Sequence, residues 1–132
     1  MGIDVRWHDE NRTLLQVTLI SPWDWLDLER AMEQGIEMID PVGHTVHFLI
    51  DFAGSARPPR GNSLMHLKRV IQRVTENPFA GESFLINPNP FARSIVDMLL
   101  RVYKEARHLH VVGSREEALR RIEGFALGGA GE

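Results

Sequence analysis

The feature that most constrains this chain is the apolar run Val46-His47-Phe48-Leu49-Ile50, which closes on Asp51-Phe52. Bulky apolar residues at consecutive positions leave an extended strand with no polar face, so both sides need cover. A polar, proline-broken loop follows (Gly54-Ser55-Ala56-Arg57-Pro58-Pro59-Arg60-Gly61-Asn62-Ser63), and an amphipathic helix begins near Leu64. A buried strand that hands the chain through a loop to a helix belongs to a largely parallel α/β sheet. In open sheets of that kind, ligands and partners bind at the carboxyl edge of the strands.

The flanking periodicities extend the pattern. Ile3 to His8 and Thr13 to Ile20 read as a hairpin about the polar tetrad Asp9-Glu10-Asn11-Arg12, with Leu15, Val17 and Leu19 alternating against Gln16 and Thr18. Ser21 is the expected N-cap of a first helix, with Pro22 at its first position and Asp24 in its first turn. Trp25, Leu28, Met32, Ile36 and Ile39 form its apolar stripe, and Asp40-Pro41-Val42-Gly43 ends it. After the Val46–Phe52 strand, a second helix is expected from Asn62 or Ser63 to Glu76, then a strand from Ser83 to Asn87. Asn89-Pro90 reads as cap and first turn of a third helix reaching about Ala106. Its apolar face (Phe91, Ile95, Val96, Met98, Leu99, Leu100, Val102, Tyr103) is broad, which suggests either deep burial or a second contact such as a homodimer interface. His108 to Val112 gives a fifth strand, and Ser114 with Glu117 forms a capping box ahead of a fourth helix. The order β-β-α-β-α-β-α-β-α implies one α/β domain over residues 1–126. Its sheet is five-stranded, mixed and mostly parallel, with an antiparallel first strand, helices on its faces and a flexible tail at 127–132.

Bulk properties exclude several function classes. The 132 residues suit a single domain with one real core. There is no cysteine, hence no disulfide, thiolate metal site or cysteine nucleophile. No apolar run is long enough to span a membrane and the first residues do not form a signal peptide, so a cytoplasmic location is expected. Residues 1–51 carry ten acidic and three basic residues, whereas residues 52–132 carry twelve basic and eight acidic. The simplest account is a solvated surface sorted along the chain. A basic face meeting an anionic partner is the sharper one, but poor aromatic interleaving and overall negative charge argue against nucleic acid.

The candidate functional residues gather where the strands end. Trp23, Asp51, Ser55, Arg57, Arg60, Asn87, Asn89, Arg93 and Ser114 belong to that edge, with Lys68 and Arg69 on the following helix. Helix N-termini in the same region favour anions, and paired arginines bind phosphate or carboxylate. The plainer account is that Asp51 pairs with a nearby arginine and the asparagines cap helices. The pairs His44/His47 and His108/His110 invite a metal, yet no Cys, Asp or Glu motif completes a site, and no metal or other cofactor is expected. Neither Gly-x-Ser-x-Gly nor a phosphate-binding glycine loop occurs, so an enzyme is not expected. Trp7, Trp23 and Trp25 suit core packing; the sharper account is an apolar pocket under the first helix.

The strand end Leu49-Ile50-Asp51-Phe52, the helix entry Asn87-Pro88-Asn89-Pro90-Phe91-Ala92-Arg93 and the close His110-Val111-Val112-Gly113-Ser114-Arg115-Glu116-Glu117-Ala118-Leu119 together resemble the STAS superfamily, which includes the anti-sigma-factor antagonists and SpoIIAA-like proteins. The opening Val5-Arg6-Trp7 and Pro22-Trp23-Asp24-Trp25 look like those of bacterial SpoIIAA-like proteins. The resemblance implies that fold and a non-enzymatic regulatory or scaffold role through a protein partner. It does not extend to the antagonists' phosphorylated Asp-Ser-Ser/Thr-Gly motif. Pro59-Arg60-Gly61-Asn62 stands there, and Ser55 and Ser63 are out of register. The alternative role is carriage or sensing of a small anionic or lipophilic ligand in a pocket at the carboxyl ends of the strands.

Overall fold

The elements form in the expected order. The computed structural model describes the backbone of residues 2–54, 63–104 and 108–131, and the side chains of 2–52, 65–104 and 108–124. They are β1 (Ile3–Trp7), β2 (Leu14–Ile20), α1 (Trp25–Ile39), β3 (Val46–Gly54), α2 (Ser63–Glu76), β4 (Ala80–Ile86), α3 (Pro90–Val102), β5 (Leu109–Val112) and α4 (Arg115–Gly131). The strands lie in sequence order, β1-β2-β3-β4-β5. β1 is antiparallel to β2, with Ile3 opposite Leu19 and Trp7 opposite Leu15. The other pairs are parallel, and Val17, Ile50, Leu85 and Val111 stand in one row across them.

Strand order decides which face each helix covers. Each crossover advances the sheet in the same direction, and right-handed crossovers then put α1, α2 and α3 on one face. Only α4, which follows the last strand, folds onto the other. β3 meets both demands by alternation. Val46 and Phe48 join Leu15, Val17, Met32 and Ile39 in the core beneath α1 and α2, while Leu49 joins Phe84, Ile86, Val112 and Ala118 beneath α4. Phe48, Leu49 and Phe84 are fully buried. The opposite face of β1 and β2 is polar (Asp4, Arg6, Gln16, Thr18), as suits a hairpin with one solvated side.

Local chemistry sets the boundaries. The hairpin turn is built on Asp9, whose carboxylate accepts the backbone N–H groups of Thr13 (2.9 Å) and Leu14 (3.1 Å) and the Thr13 hydroxyl. Burial alone would raise the Asp9 carboxyl; these hydrogen bonds together outweigh it and hold it below the ordinary carboxylate range. α1 starts later than the sequence suggests. Its N-cap is Asp24, not Ser21, because Asp24 and Asp27 form a reciprocal capping box: Oδ1 of Asp24 accepts from Asp27 N (2.8 Å) and Oδ2 of Asp27 from Asp24 N (3.0 Å). Pro22 therefore precedes the helix instead of opening it. Gly43, at φ 78°, supplies the left-handed residue that closes the turn after α1.

Three other boundaries move. β4 begins at Ala80, not Ser83, since Ala80 pairs with Val46 through residues too small to register as an apolar repeat. Gly81 has to be small, because a Cβ there would lie 2.4 Å from Nδ1 of His47. α3 stops at Val102, not near Ala106, as Tyr103 turns extended (φ −117°, ψ 125°) toward β5. β5 starts at Leu109, one residue past His108.

α1 and α2 are tied by polar contacts between residues forty apart along the helices and thirty-seven apart just past their ends. Arg69 meets Glu29 (3.4 Å), Arg73 grips both oxygens of Glu33 (2.7 Å each), and Asn77 donates to Asp40 (2.8 Å). Both helices lie behind parallel strands and run the same way, so stripes spaced i, i+4 meet in order. Beneath them Gly35 lets α1 approach the sheet: a Cβ there would sit 3.0 Å from Cδ2 of the fully buried Leu15.

Gly35→Val should therefore lower the unfolding free energy by about 1–3 kcal/mol through overpacking, read as a lower midpoint in urea unfolding. Asp9→Ala should cost about 1 kcal/mol at pH 7. Because the folded carboxyl is depressed, that contribution is present above the unfolded value of 3.8 and disappears as pH falls through the folded one. Wild type and variant should thus converge in stability at acid pH.

Candidate functional site

The sheet's three-helix face holds a cleft of about 190 Å³. Its floor is Ile50 and Phe52 of β3, Ser83 and Leu85 of β4, and Leu109 of β5. One wall is α2 (Leu67, Val70, Ile71, Val74) and the other α3 (Phe91, Ala92, Ile95, Val96, Leu99). The carboxyl end is closed by Trp23, Trp25 and Asn89, and the amino end reaches Ala80, Gly81 and His108. Period-two alternation makes this floor, because Ile50 and Phe52 face the cleft while Leu49 faces α4. Trp23 packs edge-on against Trp25 with centroids 5.3 Å apart, and Trp25 contacts the Phe91 ring at 6.4 Å. Trp25 is 4% exposed, and its buried indole N–H has no acceptor among the described residues.

The expected edge constellation divides between the two faces. Trp23 and Asn89 belong to the cleft, where Asn89 caps α3 by accepting from Ala92 N at 2.8 Å. Asp51 lies on the α4 face and takes Arg115 Nη2 at 3.1 Å. The plainer account of Asp51 therefore holds, with Arg115 as its arginine. Ser114 caps α4 by accepting from Glu117 N (3.2 Å), and Glu117 reaches back to Gly113 N (2.9 Å). Asn87 is exposed at φ 51°, and its N–H donates to Val112 O at 2.9 Å. Arg93 is exposed in the first turn of α3, and Lys68 is exposed on α2. Arg69 is engaged with Glu29, and His66 stands 3.5 Å from the same carboxylate. Ser55, Arg57 and Arg60 lie outside the described residues, as does the Pro59–Asn62 stretch.

A second polar group lies on the α4 face at the amino ends of the strands. His108 and His110 share one strand face, as their spacing predicts, and both meet Glu82, His108 through Nδ1 and His110 through Nε2 at 3.3 Å. The His110 ring stacks on Phe84 at 5.0 Å. Glu82 N donates to Nδ1 of His47 at 2.8 Å. Among the described residues no three His, Asp or Glu side chains are disposed to hold a metal ion, and no helix is long and apolar enough to cross a membrane.

His47 must be neutral to accept that bond, with its proton on Nε2. Burial is the main reason its folded pKa is lowered; nearby Glu82 acts in the opposite sense and His110 in the same one. The unfolded imidazole binds a proton as pH falls below about 6.5 while the folded one resists, so this residue erodes stability on acidification. His47→Asn keeps an acceptor near Nδ1 but does not titrate. The loss of thermal stability between pH 7.5 and pH 5.5 should be smaller in this variant than in wild type, as read by differential scanning calorimetry.

Sequence reasoning proposed a tryptophan pocket but did not find its walls. Ile95 and Leu99 read as part of one broad apolar face, since apolar periodicity does not separate a packed face from one bordering a gap. Ile20, Leu26 and Met65 carried no signal of exposure, and Phe91 stood only within the broad face of the third helix; the four are 48%, 40%, 56% and 37% exposed. All four stand at the carboxyl edge, one at the end of β2 and one in the first turn of each of α1, α2 and α3.

No protein-family model matches the sequence, and no curated protein is significantly similar to it. The structure is similar to that of the Bacillus cell fate determinant SpoIIAA in its phosphorylated form, with a TM-score of 0.60 at 13% identity. The match covers 91% of this chain and 98% of that one. The fold is SpoIIAA-like.

Proposed function

We propose that this chain is a non-enzymatic regulatory or scaffold module of the cytoplasm that works by binding a protein partner at the carboxyl edge of its sheet. The observation that carries this reading is the grouping of Ile20, Leu26, Met65 and Phe91 around that edge, on four elements that meet there. Single exposed apolar residues are ordinary, but a set rimming one end of a domain is the usual mark of a contact surface. Lys68, exposed on α2, adds positive charge beside this rim. The SpoIIAA-like fold supports the same role, and α3, with Leu100 and Val102 also exposed, offers a place for a second copy of the chain.

This reading differs from phosphorylated SpoIIAA in its switch. The family's phosphorylation motif is replaced here by Pro59-Arg60-Gly61-Asn62, so partner binding is proposed to proceed without that modification.

Met65→Glu and Leu26→Glu should each reduce partner capture about tenfold or more, the loss expected for a contact-surface anchor, with thermal midpoints near wild type. The assay is affinity capture from the native host followed by mass spectrometry, repeated with Ser55→Ala and Ser63→Ala, which should leave capture unchanged. Arg69→Glu is a poor probe because it places a second carboxylate against Glu29. Equal capture by wild type and both glutamate variants would discard this surface.

A further inference from the structure

We propose that the chain forms a homodimer in which β1 pairs antiparallel with β1 of a second copy, joining the two sheets across a twofold axis at Val5. This surface uses none of the rim residues Ile20, Leu26, Met65 and Phe91 and none of the exposed residues of α3. It therefore stands apart from the partner-binding role.

The first observation is an open edge. β1 ends the sheet, and among the described residues no strand lies on its outer side. Ile3-Asp4-Val5-Arg6-Trp7 holds no proline or lysine, and its register with β2 is unbroken. An edge without such devices is a template for a further strand.

The second is the set of backbone groups left over. His8 N donates to Leu14 O (2.9 Å) and Ile20 N to Gly2 O (2.6 Å). Along an antiparallel pair the residues that bond across alternate, so Asp4 and Arg6, like Gly2 and His8, turn their N–H and C=O toward β2. Ile3, Val5 and Trp7 turn theirs outward. A second β1 centred on Val5 sets Val5 against Val5 and Ile3 against Trp7, and each outward N–H then meets an outward C=O.

The third is charge. Asp4 and Arg6 share the uncovered face of β1, with side chains 41% and 70% exposed, and meet at 2.6 Å within the chain. In the register centred on Val5, each Asp4 stands directly opposite Arg6 of the partner subunit. Registers centred on Asp4 or on Arg6 keep the hydrogen-bond pattern but set like charges face to face, which is unfavourable. The strand is thus complementary to itself in one register, as a twofold interface requires. On the other face Ile3 and Trp7 are half-buried beside the α1–α2 core, and the same register covers each with the other.

The test is sedimentation velocity of the full chain over a concentration series reaching about 1 mM subunit. A concentration-dependent dimer is expected. Arg6→Asp and Asp4→Arg, both at exposed side chains, should each weaken it about tenfold or more, because both cross-strand pairs become like-charge pairs. An equimolar mixture of the two variants should recover the wild-type affinity, since their heterodimer has opposite charges at every facing position. Mixing does not repair the contact within one chain, so the recovery reads the interface alone. Leu100→Glu, on α3, should leave the dimer unchanged. Circular dichroism checks folding. If a charge variant does not fold, hydrogen exchange of the wild type replaces it: the Val5 amide should exchange more slowly at high protein concentration than at low. A monomer throughout the series would overturn the proposal. So would a dimer insensitive to Arg6→Asp, a mixture no tighter than its parts, loss of the dimer in Leu100→Glu, or Val5 exchange independent of concentration.

Discussion

Everything in this fold hangs on β3 being apolar on both sides. Phe48 and Leu49 are adjacent, point in opposite directions and are both fully buried. Each anchors a separate core, one beneath α1 and α2 and one beneath α4. Truncating such an aromatic residue typically costs about 3–5 kcal/mol, a large part of the total stability of a domain this size. The hairpin β1–β2 needs cover on one side only. Its polar face therefore lies where α4 does not reach.

Strand order then determines where a binding site can form. Doubly wound sheets place their crevice where the order reverses. Here β1 to β5 advance without reversal, so the order supplies no switch point. Three helices share one face instead. α1 and α2 are tied together, α3 rests over the last strands, and the gap between α2 and α3 becomes the cleft. The expectation of a pocket at the strand ends did not include this consequence of topology. Trp23 and Asn89 are at the cleft's end, as that expectation had it, while Asp51 points to the other face.

Much of the architecture was legible because it rests on local periodicity. The alternation of Leu15, Val17 and Leu19, the cap at Asn89-Pro90 and the Ser114/Glu117 box are short-range patterns, and each appears in the structure. The misplaced boundaries have short-range competitors. Asp24 and Asp27 cap α1 more completely than Ser21 does, and Ala80 and Gly81 are too small to announce a strand. The cleft was harder to read because it depends on a space between elements. Ile95 looks the same in sequence whether a neighbour or a gap faces it. The His47–Glu82–His110 group joins residues from three strands, and only the His108/His110 spacing hinted at it.

The polar ties between α1 and α2 have a mechanical side. Singly, exposed ion pairs contribute little to stability, but three sets along one seam make the two helices move as one slab. The cleft thus has one stiff wall and one compliant wall. α3 lies over the short β5 at the rim of the sheet and has no comparable seam among the described residues. Phe91, at the head of α3, belongs both to the cleft wall and to the exposed rim, so a substitution there alters interior and surface at once.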